Sequence, residues 1–187
     1  MNVNDFNKHL LADTTASDAI FARLTRLRSS RFVFNFDFGL SALPTEAGII
    51  IVRGARQVGK STWLDLQIQE TRNKFGPGSA LYLNGDEIVD VDALVAEIRL
   101  LLPLFRPSSP VRRIFIDEIT AVQNWERGLK RLADSGEISD VLVVTTGSKA
   151  NDLRRGTERL PGRKGRLDRT AYIFTPIPFR EFRRVCG

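Results

Sequence analysis

Residues 48–63, GIIIVRGARQVGKSTW, constrain this chain more than any other stretch. Four consecutive β-branched residues, Ile49, Ile50, Ile51 and Val52, suit a strand buried on both faces, and helical spacing resumes at Leu64 and Ile68. Between them the pattern G-x-x-x-x-G-K-S sets Gly54 and Gly59 around a curl that ends in Lys60 and Ser61. Glycines let successive backbone N–H groups point inward and the lysine adds a mobile positive charge, so a phosphate chain is the natural occupant. With Gly at about 7% of residues, the four fixed positions arise by chance on the order of one time in a hundred. The order strand, loop, helix lowers that chance further against the competing reading, an ordinary glycine-rich turn. Gly54, Ala55, Arg56, Gln57, Val58, Gly59, Lys60, Ser61 and Thr62 are therefore the expected phosphate cradle.

A cradle alone hydrolyses nothing. Phosphoryl transfer also needs a carboxylate that holds magnesium against the charge developing on the phosphate oxygens. Ile114, Phe115 and Ile116 lead straight to Asp117 and Glu118, so a strand would deliver both acids at its carboxyl end, where open α/β sheets place ligands. Asp117 is the expected metal partner, directly or through water, beside the Ser61 hydroxyl. Glu118 is the expected group that orients and polarises the attacking water. Downstream, the apolar run from 140 ends in TTGSK, where Thr146 and Ser148 are candidates to sense the terminal phosphate or hold the water; plain turn chemistry is the competing reading. Six arginines come next: Arg154, Arg155, Arg159, Arg163, Arg166 and Arg169. Arg163, in LPGRKGR, is the first candidate for a guanidinium that stabilises transition-state charge, and Arg159 the second, while most of such a run is solvated surface.

Around these motifs, periodicity predicts a helix over 17–28 and a strand over 31–38, where Phe32, Phe34, Phe36 and Phe38 share one face. A helix over 61–74, a turn at FGPGS, a strand at ALYLNGD and a helix over 91–102 capped by Asp90 and stopped by Pro103 come after it. A strand at VRRIFIDEI, a helix over 125–134, a strand over 140–149 and a last strand at RTAYIFTP complete the pattern. Strands alternating with helices imply an α/β domain with a parallel sheet and helices on both faces, preceded over 1–45 by a helix and strand extension packed on the core.

Composition bounds the rest. The 187 residues are 42% hydrophobic and 27% charged, as suits one globular domain. No apolar run is long enough to cross a membrane, and MNVNDFNKHLLADTT has no secretory pattern, so a cytoplasmic protein is expected. One cysteine, Cys186, and one histidine, His9, exclude an internal disulfide and the usual zinc spacings, leaving oxygen ligands for any metal. The net charge is +6, and the whole excess lies in residues 150–187, with 10 Lys plus Arg against 4 Asp plus Glu. Such a segment suits nucleic acid, an acidic partner or the nucleotide of a neighbouring subunit.

GARQVGKS, IFIDEI followed by Trp125 and LKRLAD, TTGSKANDL, LPGR and PIPFREF resemble, in that order, the motifs of a group of prokaryotic AAA+ predicted ATPases. The resemblance covers residues 48–184. It implies a three-layer P-loop NTPase core over 46–187 with sheet order 5-1-4-3-2, Lys60 on the β- and γ-phosphates, Ser61 and Asp117 on magnesium, and Glu118 as catalytic base. It also implies a lid and a C-terminal domain beyond FRRVCG, so the core reads as truncated before them. The expected function is a magnesium-dependent, ATP-binding and ATP-hydrolysing switch or motor module, with ATP and Mg as cofactors and a possible homo-oligomer sharing a trans arginine. The alternative is a nucleic-acid-binding module that uses ATP as a conformational switch, contacting nucleic acid through the basic C-terminal segment. A small-molecule phosphotransferase is a third reading, disfavoured because Glu118 suits activation of water. No guanine-selecting N-K-x-D pattern is present.

Overall fold

The computed structural model describes residues 2–13, 20–34, 38–148 and 167–186. Five strands form one sheet: β1 (Gly48–Arg53), β2 (Ala80–Asn84), β3 (Arg113–Asp117), β4 (Leu142–Gly147) and β5 (Ala171–Ile173). They lie in the order β2-β3-β4-β1-β5, every pairing parallel. This is the expected 5-1-4-3-2 arrangement seen from its other edge.

Each strand alternates between two cores, as side chains with a period of two must. Ile49 and Ile51, Leu83, Ile114 and Ile116, and Val143 face α4 (Val91–Leu101) and α5 (Trp125–Asp134). Ile50 and Val52, Phe115, and Leu142 and Val144 face α3 (Lys60–Phe75) and the N-terminal helices α1 (Val3–Leu11) and α2 (Ala22–Ser29). Two-sided burial explains why these strands read as unbroken apolar runs. Full burial of each Leu, Ile or Phe contributes about 1.5–3 kcal/mol, so the sheet is the rigid body to which the loops are fixed.

Helix limits reflect local chemistry. Asp90 caps α4 by accepting from the Ala93 amide at 2.8 Å, and α3 ends at Gly76, whose φ of 86° suits glycine. α1 was not among the expected helices, although Asn2 caps it on the Asp5 amide at 2.8 Å and Phe6 and Leu10 bury one face. Its Asn7 covers the edge of β2: the side-chain amide donates to the Tyr82 carbonyl and its oxygen accepts from the Tyr82 amide, both at 2.8 Å. Those are the backbone groups that an edge strand otherwise leaves open to another chain.

The strand expected at 31–38 is absent from its described part. Residues 31–34 run without a strand partner. Phe38 packs instead on Phe174 and Trp63, with ring centroids at 4.7 and 5.2 Å, while Phe34 stacks on Phe182 of α6 (Phe179–Cys186). Alternation marks a strand only when a neighbour takes its hydrogen bonds, and here separate aromatic contacts decide the path of the chain. No helix among the described residues is long and apolar enough to cross a membrane.

Candidate functional site

In-register parallel pairing brings four strand ends to one edge: Arg53 lies opposite Gly147, and Asn84 opposite Asp117. The segments that leave the carboxyl ends of β1, β3 and β4 therefore meet there. A cleft of about 710 Å³ opens at this edge, lined by Arg23, Gln57, Lys60, Ser61, Thr62, Asp117 and Glu118 among others.

The loop after β1 is curled by two residues in the left-handed region, Gln57 at φ 62° and Gly59 at φ 104°. Gly59 heads α3 without a side-chain cap, so the first amides of that helix stay available to an anion, reinforced by the helix dipole. Gly54 is required for a different reason, because a Cβ there would stand 2.5 Å from the Phe174 carbonyl oxygen. The Lys60 ammonium lies across the curl, donating to the Ala55 carbonyl at 2.7 Å and the Gly54 carbonyl at 3.0 Å. Burial lowers its pKa, against the opposing pull of Glu118 and Asp117.

Asp117 is buried at the end of β3, and Glu118 comes directly after it at φ 48°. Such a backbone persists only where its surroundings fix it. Thr146, fully buried on β4, provides part of that fixation: its hydroxyl donates to Asp117 Oδ1 at 2.5 Å and accepts from the Glu118 amide at 3.1 Å. The Glu118 carboxylate is held through Oε1 by the Ser148 amide at 3.0 Å, the Ser148 hydroxyl and the Thr120 hydroxyl at 3.2 Å. Thr146 thus faces the two acids from inside the sheet rather than lining the cleft, and Ser148 grips the second acid. Arg154, Arg155, Arg159, Arg163 and Arg166 lie outside the described residues. Arg169 is described, with its guanidinium stacked 4.4 Å from the Tyr172 ring centroid.

A second group of residues, not singled out by any sequence motif, also reaches this edge. Arg23, on α2, donates from Nη1 to Asp65 Oδ1 at 3.2 Å and to the Ser61 carbonyl at 3.4 Å, and lies 3.7 Å from Asp117 Oδ2. Asp65 is one helical turn beyond Ser61 and only 7% exposed. Burial pushes its carboxyl up to about 6, more than Arg23 offsets. Burial also works against the Arg23 charge, yet Asp65 and Asp117 hold it above its ordinary value, because a half-exposed guanidinium loses less to desolvation than an enclosed carboxylate. Tyr82, hydrogen-bonded to Arg23, is raised by burial and then by the charge of Asp117.

Comparison with known proteins bears on this arrangement. Two uncharacterised proteins of Methanocaldococcus jannaschii are each 28% identical to the chain, one over 150 residues and one over 137. The matches cover 80% and 72% of this chain but 31% and 27% of those proteins, so it spans less than a third of the length of either. In the crystal structure of a DNA polymerase III gamma-subunit-related protein from Thermotoga maritima, 44% of that chain superposes on 74% of this one, with a TM-score of 0.50 at 12% identity. That likeness concerns the fold. The AAA domain family matches residues 46–183, which hold the whole sheet, the curled loop and both acids, and the chain belongs to that family.

Proposed function

We propose that the chain binds Mg·ATP in the cleft at the strand ends and hydrolyses it, serving as a switch or motor module. The observation that carries this reading is the fixation of Glu118. Its strained backbone is tied to β4 by Thr146 and its carboxylate to Ser148 just after that strand, and it lines the cleft together with Lys60 and Ser61. A carboxylate so held is suited to orient water against a phosphoryl group and to take its proton.

The donors at the site fit magnesium. Among the described residues no group of three or more His, Cys, Asp or Glu side chains could hold a metal by itself. A cation here would take Asp117 and the Ser61 hydroxyl from the chain and complete its shell with phosphate oxygens and water, as magnesium does. When bound, it supplies charge neutralisation along the phosphates. The chain's own part is positional: loop amides and Lys60 bind phosphate oxygens, Thr146 fixes Asp117, and Glu118 accepts the proton of the attacking water.

The test is an ATP titration with a phosphate-release assay. Glu118→Gln retains the shape and hydrogen-bonding reach of the side chain but not its basicity, so ATP affinity stays near wild type while turnover falls roughly 10²–10⁴-fold. Lys60→Ala loses ATP affinity. Equal turnover by the wild type and Glu118→Gln removes Glu118 from the chemistry, and failure of the wild type to bind ATP removes the reading altogether.

A further inference from the structure

We propose that Arg23 and the divalent cation compete for the same oxygen of Asp117, so that loading with Mg·ATP displaces the guanidinium and loosens α2 from the end of β3 and the head of α3. The inference rests on the Mg·ATP reading above and adds a residue from outside the nucleotide-binding motifs. Asp117 is buried, and its Oδ1 is committed to the Thr146 hydroxyl at 2.5 Å. Oδ2 is the oxygen outside that bond and the more open to a metal, and it is the one Arg23 faces at 3.7 Å. The guanidinium also takes the carbonyl of Ser61, the residue whose hydroxyl is the second protein ligand expected of the metal. Magnesium binds carboxylate oxygen at about 2.1 Å, so cation and guanidinium would stand within a few ångströms of each other in a partly enclosed site. Such repulsion is weakly screened there.

Arg23 is built to yield. Its side chain is 46% exposed, and it keeps a second partner in Asp65 at 3.2 Å, towards which it can withdraw. α2 has eight residues, no side-chain cap at its start and one buried residue, Leu24. Its ties to α3 include Arg23–Asp65 and the Arg28–Gln69 hydrogen bond at 2.7 Å. An eight-residue helix with one buried side chain opens at low free-energy cost, and the loss of its charged tie to Asp117 registers along it. Occupancy of the metal site is thereby coupled to an N-terminal segment outside the matched family region, which begins at residue 46.

The experiment measures ATP affinity with magnesium and with EDTA in the wild type, Arg23→Gln and Arg23→Lys, together with amide hydrogen exchange over residues 22–29. Neutralising Arg23 removes the competitor, so the strengthening of ATP binding by magnesium grows roughly 1.5- to fivefold in Arg23→Gln, the range expected for one partly exposed ion pair. Lysine restores the positive charge and returns the ratio toward wild type, which a loss of packing alone would not do. In the wild type, exchange over 22–29 speeds up with Mg·ATP relative to ATP in EDTA, while in Arg23→Gln it is fast in both. An unchanged magnesium ratio in Arg23→Gln overturns the proposal, as does weaker ATP binding in both buffers, which would make Arg23 a phosphate ligand. Those outcomes leave ATP binding by the wild type intact, whereas absence of ATP binding removes the Mg·ATP reading and this inference together.

Discussion

Thr146→Val tests whether β4 holds the acid pair in place. Valine matches threonine in shape, so the change removes one hydroxyl from a site with no solvent exposure and opens no cavity. Two hydrogen bonds disappear. The one to Asp117 Oδ1 joins a carboxylate and contributes about 1.5–3 kcal/mol, and the one from the Glu118 amide about 1 kcal/mol, leaving the buried Asp117 and the half-buried Glu118 amide without that hydroxyl. A loss of about 3 kcal/mol is a large part of the roughly 5–15 kcal/mol that holds a domain together. For a chain of this size it lowers the melting temperature by roughly 6–12 °C. Function should suffer separately from stability. Glu118 sits at φ 48°, a backbone costing about 1–2 kcal/mol that relaxes once its amide loses an anchor. Relaxation moves the carboxylate by a fraction of an ångström, enough for a roughly 10- to 100-fold fall in kcat. Lys60 and the loop amides do not touch Thr146, so ATP affinity holds. Thr146→Ser keeps the hydroxyl, loses only a buried methyl, and retains turnover. Urea denaturation and steady-state phosphate release on the three proteins decide the matter: Thr146→Val with wild-type stability and wild-type kcat would refute the idea that this hydroxyl positions the acids.

Two further outcomes are expected from other parts of the molecule. Asn7→Ala removes both hydrogen bonds to Tyr82, should cost about 2 kcal/mol in urea unfolding, and should raise amide exchange at the β2 edge; protection equal to wild type would show that α1 is held by Phe6 and Leu10 alone. Asp65 predicts a pH dependence: its folded pKa of about 6 lies above the ordinary aspartate value of 3.8, so the fold favours the neutral acid, and that stabilisation is complete below about pH 4 and lost as pH rises through about 6. At about 1.4 kcal/mol per unit the loss is on the order of 3 kcal/mol, and Asp65→Asn, neutral throughout, should flatten the stability profile between pH 4 and 7; parallel profiles would place the titration elsewhere.

The parts of this molecule that could be read from the chain are those whose signal is local. The curl needs two glycines at fixed spacing within eight residues, and a doubly buried strand needs an unbroken apolar run, so the loop, the four longer strands and the acids at the end of β3 were all foreseeable. Sheet order was not local in that sense and came from resemblance to a family. What escaped is non-local. Arg23 stands 42 residues from Asp65 and 94 from Asp117, on a short helix with one buried residue, and nothing near it in sequence marks it apart from Arg26 or Arg28. It gains significance only because α2 lies along the first turns of α3, beside the end of β3. The alternating phenylalanines erred in the opposite direction: in the described part of 31–38 a strong local pattern was overruled by distant rings, with Trp63 and Phe174 taking Phe38 and Phe182 taking Phe34. Asn7 shows why polar residues in an N-terminal segment are hard to read, since an amide that mimics a strand backbone looks like any exposed asparagine until the unpaired edge of β2 is placed beside it. In each case the energetic reason for the residue resides in a partner that the sequence does not place next to it. The family motifs therefore outline the cleft at the strand ends, while any means of adjusting that cleft must be sought among side chains that reach it from elsewhere in the fold, of which Arg23 is the clearest case.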